Sequence, residues 1–126
     1  MKVLQMVSSA YRATIEEQDD TILWLTQAMA NAGGTLDVLL SSHAVNYALT
    51  GQDASGLAFG DWKQTHPPRI EDDLARMIEK GIAVFAVSDD LAERGFADAA
   101  MVKGVRRLPR AEIARLMAGY DRVWRW

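Results

Sequence analysis

The run Ile82-Ala83-Val84-Phe85-Ala86-Val87 is unbroken apolar sequence, and Ser88-Asp89-Asp90 stops it abruptly. Its length and its Val, Ile and Phe content suit a strand buried on both faces, as in the middle of a parallel sheet. Ser88, Asp89 and Asp90 bring N-cap chemistry to a short helical turn, Leu91 to Arg94, which Gly95 ends. In an open α/β sheet, ligands bind in the crevice outside the carboxyl ends of such strands. The Val87/Ser88 corner is therefore the first place to look for chemistry, and it offers no Cys, His or Lys.

The rest of the chain supplies the partners such a strand needs. Lys2 to Val7 reads as a first strand, followed by the hydroxyl-rich loop Ser8-Ser9-Ala10-Tyr11. That loop could cradle an anion with backbone N–H groups or serve as an ordinary capped turn; it lacks the glycines of a phosphate-binding fingerprint. The spacing of Ile22, Leu25, Met29 and Ala32 predicts a helix over Thr14 to Ala32, with Glu16, Glu17, Asp19 and Asp20 in its first turns and Gly33-Gly34 at its end. Thr35 to Leu40 is a second strand. Ser41-Ser42-His43 stands at its carboxyl end and leads into a short helix, Ala44 to Leu49. His43 is the better placed of the two histidines for acid–base work or ligand contact.

Residues 50–69 are punctuated by Gly51, Gly56, Gly60, Pro67 and Pro68, the pattern of a lid, binding loop or partner surface. Phe59 and Trp62 lie on it and should bury against something, either another subunit or a satellite cluster on the same one. Arg69 to Lys80 predicts an amphipathic helix with Ile70, Leu74, Met77 and Ile78 on one face. A short strand within Val102 to Leu108, a helix from Arg110 to Tyr120 begun by Pro109, and a final strand Asp121 to Trp126 complete the order. Trp124 and Trp126 share one side of that last strand and suggest an interface. The order of elements implies an α/β fold with parallel strands joined by right-handed crossovers.

Composition excludes several classes. The 126 residues suffice for one domain with a real core. With no cysteine, disulfides, thiolate metal sites and a cysteine nucleophile are ruled out. The net charge of −3 argues against nucleic acid, although Arg106, Arg107, Arg110, Arg115, Arg122 and Arg125 make the C-terminal third locally basic. The amino-terminal run is too short for a signal peptide and no stretch is long enough to span a membrane, so a cytoplasmic location is expected.

The order of parts resembles the DsrE/DsrF-like proteins, which include the TusBCD sulfur-relay components. The resemblance rests on the Ile82–Val87 strand running into Leu91-x-x-Arg94-Gly95, and on Val102-Lys103-Gly104-Val105 followed by a helix. Asp121-Arg122-Val123 with its closing aromatic, the Ser-rich loop after the first strand, and Val45 and Tyr47 after the second also agree. It implies a flavodoxin-like three-layer fold over residues 1–126, with a five-stranded, mostly parallel sheet flanked by helices. It also implies homo-oligomers, trimers or hexamers, or assembly with a related cysteine-bearing sister. In the sulfur-relay members a cysteine ending the central strand carries a persulfide; counting back from Gly95, that position is Val87, with Ser88 beside it. Neither valine nor a serine hydroxyl can replace a persulfide carrier.

Three readings follow. The first is a non-catalytic subunit associated with sulfur relay or sulfur oxidation, with Phe59, Trp62, Trp124 and Trp126 at interfaces and neither metal nor cofactor. The second is a stand-alone ligand-binding protein or enzyme using a crevice lined by Ser8, Ser9, Ser42, His43, Val87, Ser88 and Asp89. The third is an RNA-binding role through the arginine-rich C-terminal region. For the Asp89/Asp90 pair, capping competes with binding a cation or receiving a basic group from a partner.

Overall fold

The computed structural model describes residues 1–10, 20–53 and 55–126. Its strands are β1 (Lys2–Val7), β2 (Thr35–Leu40), β3 (Ala58–Phe59), β4 (Trp62–Lys63), β5 (Val84–Val87), β6 (Arg106–Leu108) and β7 (Arg122–Arg125). Its α-helices are α1 (Thr21–Asn31), α2 (Ile70–Glu79), α3 (Ser88–Glu93) and α4 (Ile113–Ala118). Tighter 3₁₀ turns cover Ser42–Ala48 and Arg110–Glu112. Five strands form one sheet in the order β6-β5-β2-β1-β7, and every pairing in it is parallel. This is the expected flavodoxin-like α/β architecture, with the sheet wholly rather than mostly parallel. No helix among the described residues is long and apolar enough to cross a membrane.

Apolar sequence and burial agree closely in the inner strands. In β1 and β2 every residue after the first is buried. Leu4, Val38, Leu39, Leu40 and Val84 meet Leu23 from α1 and Leu74 and Met77 from α2, all fully buried. Each such leucine contributes roughly 2 kcal/mol through burial. The middle of the sheet is β2, not the Ile82–Val87 run, which lies one strand from the edge and begins its pairing only at Val84.

Several boundaries differ from expectation for local reasons. The first helix starts at Thr21, because Asp20 is its N-cap, accepting from the Ile22 and Leu23 amides; residues 14–19 lie outside those described. Its buried residues are Leu23 and Thr26, so the buried stripe is offset from the one through Leu25 and Met29. Thr26 is accommodated there by donating its hydroxyl to the Ile22 carbonyl at 2.7 Å. The turn after β2 is 3₁₀, beginning at Ser42. Within 102–108 only Arg106–Leu108 pairs as strand. Gly104, at φ +96, faces Ile78, whose Cγ2 would lie 2.8 Å from an added Cβ. Inside the 50–69 loop, β3 and β4 form an antiparallel hairpin pairing Phe59 with Trp62. Both rings are exposed, 63% and 43%, so the satellite-cluster reading fails: they do not bury on their own subunit.

Polar ties close the amino end of the sheet. Asp37 of β2 accepts from the Ala83 amide at 2.8 Å and the Tyr120 hydroxyl at 2.7 Å, and lies 3.3 Å from the Lys2 ammonium. Lys2 Nζ also sits 4.5 Å from the centre of the Tyr120 ring. Burial, and then the hydrogen bond to Asp37, push the Tyr120 hydroxyl above its ordinary value. The folded state thus holds a proton that the unfolded chain releases, and stability falls with rising pH beyond about pH 10. Following phenolate absorbance against pH should show Tyr120 ionising above the ordinary phenol range, and only as the protein unfolds. Its ionisation at an unshifted value in native protein would contradict this.

Candidate functional site

The carboxyl ends of β1, β2, β5 and β6 share one rim, as parallel pairing requires. At the end of β1, Ser8 Oγ lies 3.0 Å from Ser41 Oγ. Ser41, not Ser42, is the buried serine after β2, and its amide donates to the Val7 carbonyl at 2.9 Å. The two serines therefore stitch adjacent strand ends together. Ser9 is exposed, Ala10 is half-buried against the core, and Tyr11 lies outside the described residues.

Ser42 adopts a left-handed backbone, φ +50, unusual for a residue with a Cβ and costing about 1 kcal/mol. Its amide donates to Asp90 Oδ2 at 2.7 Å, which holds that conformation. His43 follows, exposed, with its Nδ1 against an Arg94 guanidinium nitrogen. At the end of β5, Val87 is fully buried and Ser88 half-buried.

The acidic pair after Ser88 does not cap α3. Val87 is the residue preceding the helix, and no side chain caps it. Instead the carboxylates reach across to the loop after β6. Asp89 Oδ1 accepts from the Arg110 amide at 2.6 Å. The Arg110 guanidinium donates to Asp90 Oδ1 at 2.6 Å and Glu93 Oε1 at 2.9 Å. Both contacts, Asp90 first, hold that guanidinium more firmly protonated than usual. The alternative of a basic group docking on these carboxylates is realised, but the group comes from the same chain. A single guanidinium thus straps together the ends of β5 and β6, while Asp90 extends the tie to β2.

This network occupies the crevice where a ligand would enter. Of the residues expected to line it, Ser42, Asp89 and, through Arg94, His43 take part in one connected rim. Val87 is walled off, and Ser8 pairs sideways with Ser41. Arg94, Glu93 and Arg110 were not foreseen as site residues, and Asp90 was weighed only with Asp89, as a cap, a cation ligand or the seat of a partner's basic group. The Leu91-x-x-Arg94 pattern flagged one of them, but no local spacing announces a contact between loops 20 residues apart. Among the described residues no cluster of His, Cys, Asp or Glu is arranged to hold a metal ion. A separate open cleft of about 270 Å³ lies between α1 and α2, lined by Trp24, Gln27, Ala28, Asn31, Asp73 and Arg76.

Trp126 is 45% exposed yet directed inward at its nitrogen, which donates to the fully buried Gln5 at 2.7 Å. Trp124, its neighbour on the same side, is half-buried.

No protein-family model matches the sequence, and no curated protein does. Solved structures do match. The crystal structure of the ychN protein from E. coli aligns with a TM-score of 0.73 at 20% identity, covering 100% of both chains. MTH1491, a protein of unknown function from Methanobacterium thermoautotrophicum, aligns with a TM-score of 0.61 at 15% identity, covering 99% of this chain and 98% of that one. At these identities the likeness concerns the fold, and it shows that this chain shares the layered α/β fold of both proteins along essentially its whole length.

Proposed function

We propose that this chain is a non-catalytic, cytoplasmic DsrE-like subunit that assembles with itself or with a cysteine-bearing sister and serves sulfur relay without carrying persulfide. Val87 carries this reading. At the position where the resembling relay proteins place their sulfur carrier stands a fully buried valine. The crevice beside it is strapped by Arg110 across Asp89, Asp90 and Glu93. A thiolate or persulfide anion would meet carboxylates there instead of free donors. The exposed Phe59–Trp62 pair supports assembly, since large apolar side chains left paired and uncovered on a hairpin commonly mark a partner surface.

Native mass spectrometry of the untagged protein from its own host tests the proposal. An oligomer is expected, with or without a cysteine-bearing sister, and replacing Phe59 and Trp62 together by Ser should dissociate it. A monomer at cellular concentration would sink the reading. The walled-off state of position 87 gives a separate expectation. Val87→Cys should fold with a loss under about 1 kcal/mol, because cysteine packs as a small hydrophobe. Its thiol should react with a bulky disulfide reagent about a hundredfold more slowly than in denaturant. Rapid modification of the native variant would mean that the crevice opens.

A further inference from the structure

We propose that the cleft between α1 and α2 binds a free nucleoside whose base is of the uracil type, with a carbonyl on each side of a ring N–H. Spacing on the two helices builds the cleft. Trp24, Gln27, Ala28 and Asn31 recur at intervals of three and four along α1 and so share one face, and Asp73 and Arg76 line the opposite wall from α2. Adjacent helices ordinarily seal the groove between them with apolar side chains. Here the lining is polar apart from Trp24 and Ala28, and the small Ala28 side chain leaves an open volume of about 270 Å³. Ligand pockets begin at roughly 300 Å³, so the space suits one base with its sugar and nothing larger. Trp24 borders this space and is nevertheless 58% exposed. An indole kept open to solvent beside a polar cleft is a stacking platform for a flat heteroaromatic ring.

The polar groups select the edge of that ring. Arg76 pairs with Asp73, and Lys80 Nζ donates to Asn31 Oδ1 at 3.2 Å. What remains to a ligand from Asn31 and Arg76 is N–H donors. Gln27, half-buried, has no hydrogen-bond partner among the described residues, and its carboxamide carries an acceptor beside a donor. The uracil edge is the complement. Its N–H and one flanking carbonyl match the Gln27 carboxamide in two parallel bonds, and its other carbonyl takes the donors of Asn31 or Arg76. Cytosine carries an amino group in place of one carbonyl and would set donor against donor. The occupant is a free nucleoside and not a nucleic acid strand, because the cleft has one aromatic side chain and its lining cation, Arg76, is already neutralised by Asp73. Nothing is left there to follow a phosphate backbone. This site uses neither Val87 nor the aromatic hairpin, so it stands apart from the assembly reading.

Indole N–H resonances report on the cleft, with Trp62, Trp124 and Trp126 as controls in the same molecule. Trp24→Phe identifies the Trp24 signal by its loss. Titrating the native protein with uridine should move that signal to saturation, while Trp126, whose N–H is held by Gln5, stays in place. In equilibrium dialysis with labelled uridine, Trp24→Ala should weaken binding about tenfold or more, and Gln27→Leu should do the same. Cytidine should bind at least about tenfold more weakly than uridine, as a mismatched hydrogen-bonding edge entails. Shifts that grow without saturation or move the exposed Trp62 equally would overturn the proposal, as would uridine uptake unchanged in Gln27→Leu. Equal binding of cytidine would overturn the assignment of the base. Tighter binding of a short oligouridylate than of uridine would make this a strand-binding groove and overturn the free nucleoside. Should Trp24→Ala fail to fold, Gln27→Leu decides the outcome alone.

Discussion

Asp37→Ala should lower stability by about 3 kcal/mol, because it strips partners from buried groups on neighbouring elements at once. Asp37 is 8% exposed and stands on the middle strand of the sheet. Its carboxylate receives the Ala83 amide just ahead of β5, the Tyr120 hydroxyl beyond α4, and the Lys2 ammonium of β1. Truncation leaves the amide and the hydroxyl short of an acceptor where water has little access. Lys2, nearly half exposed, contributes less, as solvent screens it. The expected fall in melting temperature is about 10 °C. Asp37→Asn keeps an acceptor for Ala83 and should cost about half as much. Equal losses in the two variants, by thermal or denaturant unfolding, would show that charge rather than acceptor geometry holds this corner.

Trp126→Ala should cost a similar amount, about 3 kcal/mol, and for a reason set by Gln5. Gln5 sits fully buried in β1, where its side-chain oxygen accepts from the Trp126 ring nitrogen; among the described residues its own amide nitrogen finds no hydrogen-bond partner. Removing the indole orphans the whole amide in a dry interior. The backbone ties of Trp126 to Met6 and Ser8 survive the change, so the strand stays paired. A double-mutant cycle isolates the side-chain term. Gln5→Leu in the Trp126→Ala background should recover at least about 1 kcal/mol, since no buried amide is then left unmet. If the second substitution brings no recovery, the indole acts through packing alone.

How much of this was legible in the sequence depends on whether the cause was local. The strands Lys2–Val7 and Thr35–Leu40 were readable to the residue, because mostly apolar runs, each interrupted once by Gln5 or Asp37, are bounded by loop-forming residues. The helix over Ile70–Glu79 was equally plain from its one-sided spacing. Asp20 was misplaced inside a helix because a cap and a first-turn residue look alike until the backbone turns. The hairpin at Ala58–Lys63 was hidden by its length, two residues to a strand. At the site, the strand-end location was legible and the chemistry was not. Asp89 and Asp90 read as caps because capping is the local use of such residues. Their actual partner, Arg110, is brought within reach only by the parallel pairing of β5 with β6. Arg94 and His43 meet across a separation of 51 residues, which no spacing rule foretells.

The pairing of β1 with β7 also bears on how the chain comes to be folded. Trp126 and Gln5 are 121 residues apart, so β1 is synthesised long before β7 can cover one of its edges. During synthesis β2, β5 and β6 can join on the other side, but β1 keeps an open row of backbone groups throughout. Another nascent copy in the same polysome carries a β7 able to fill that row, which makes strand exchange between copies the characteristic misassembly of this topology. Late closure also makes contacts of high sequence separation part of the final step, and slow completion of the sheet follows from the entropy of closing so long a loop.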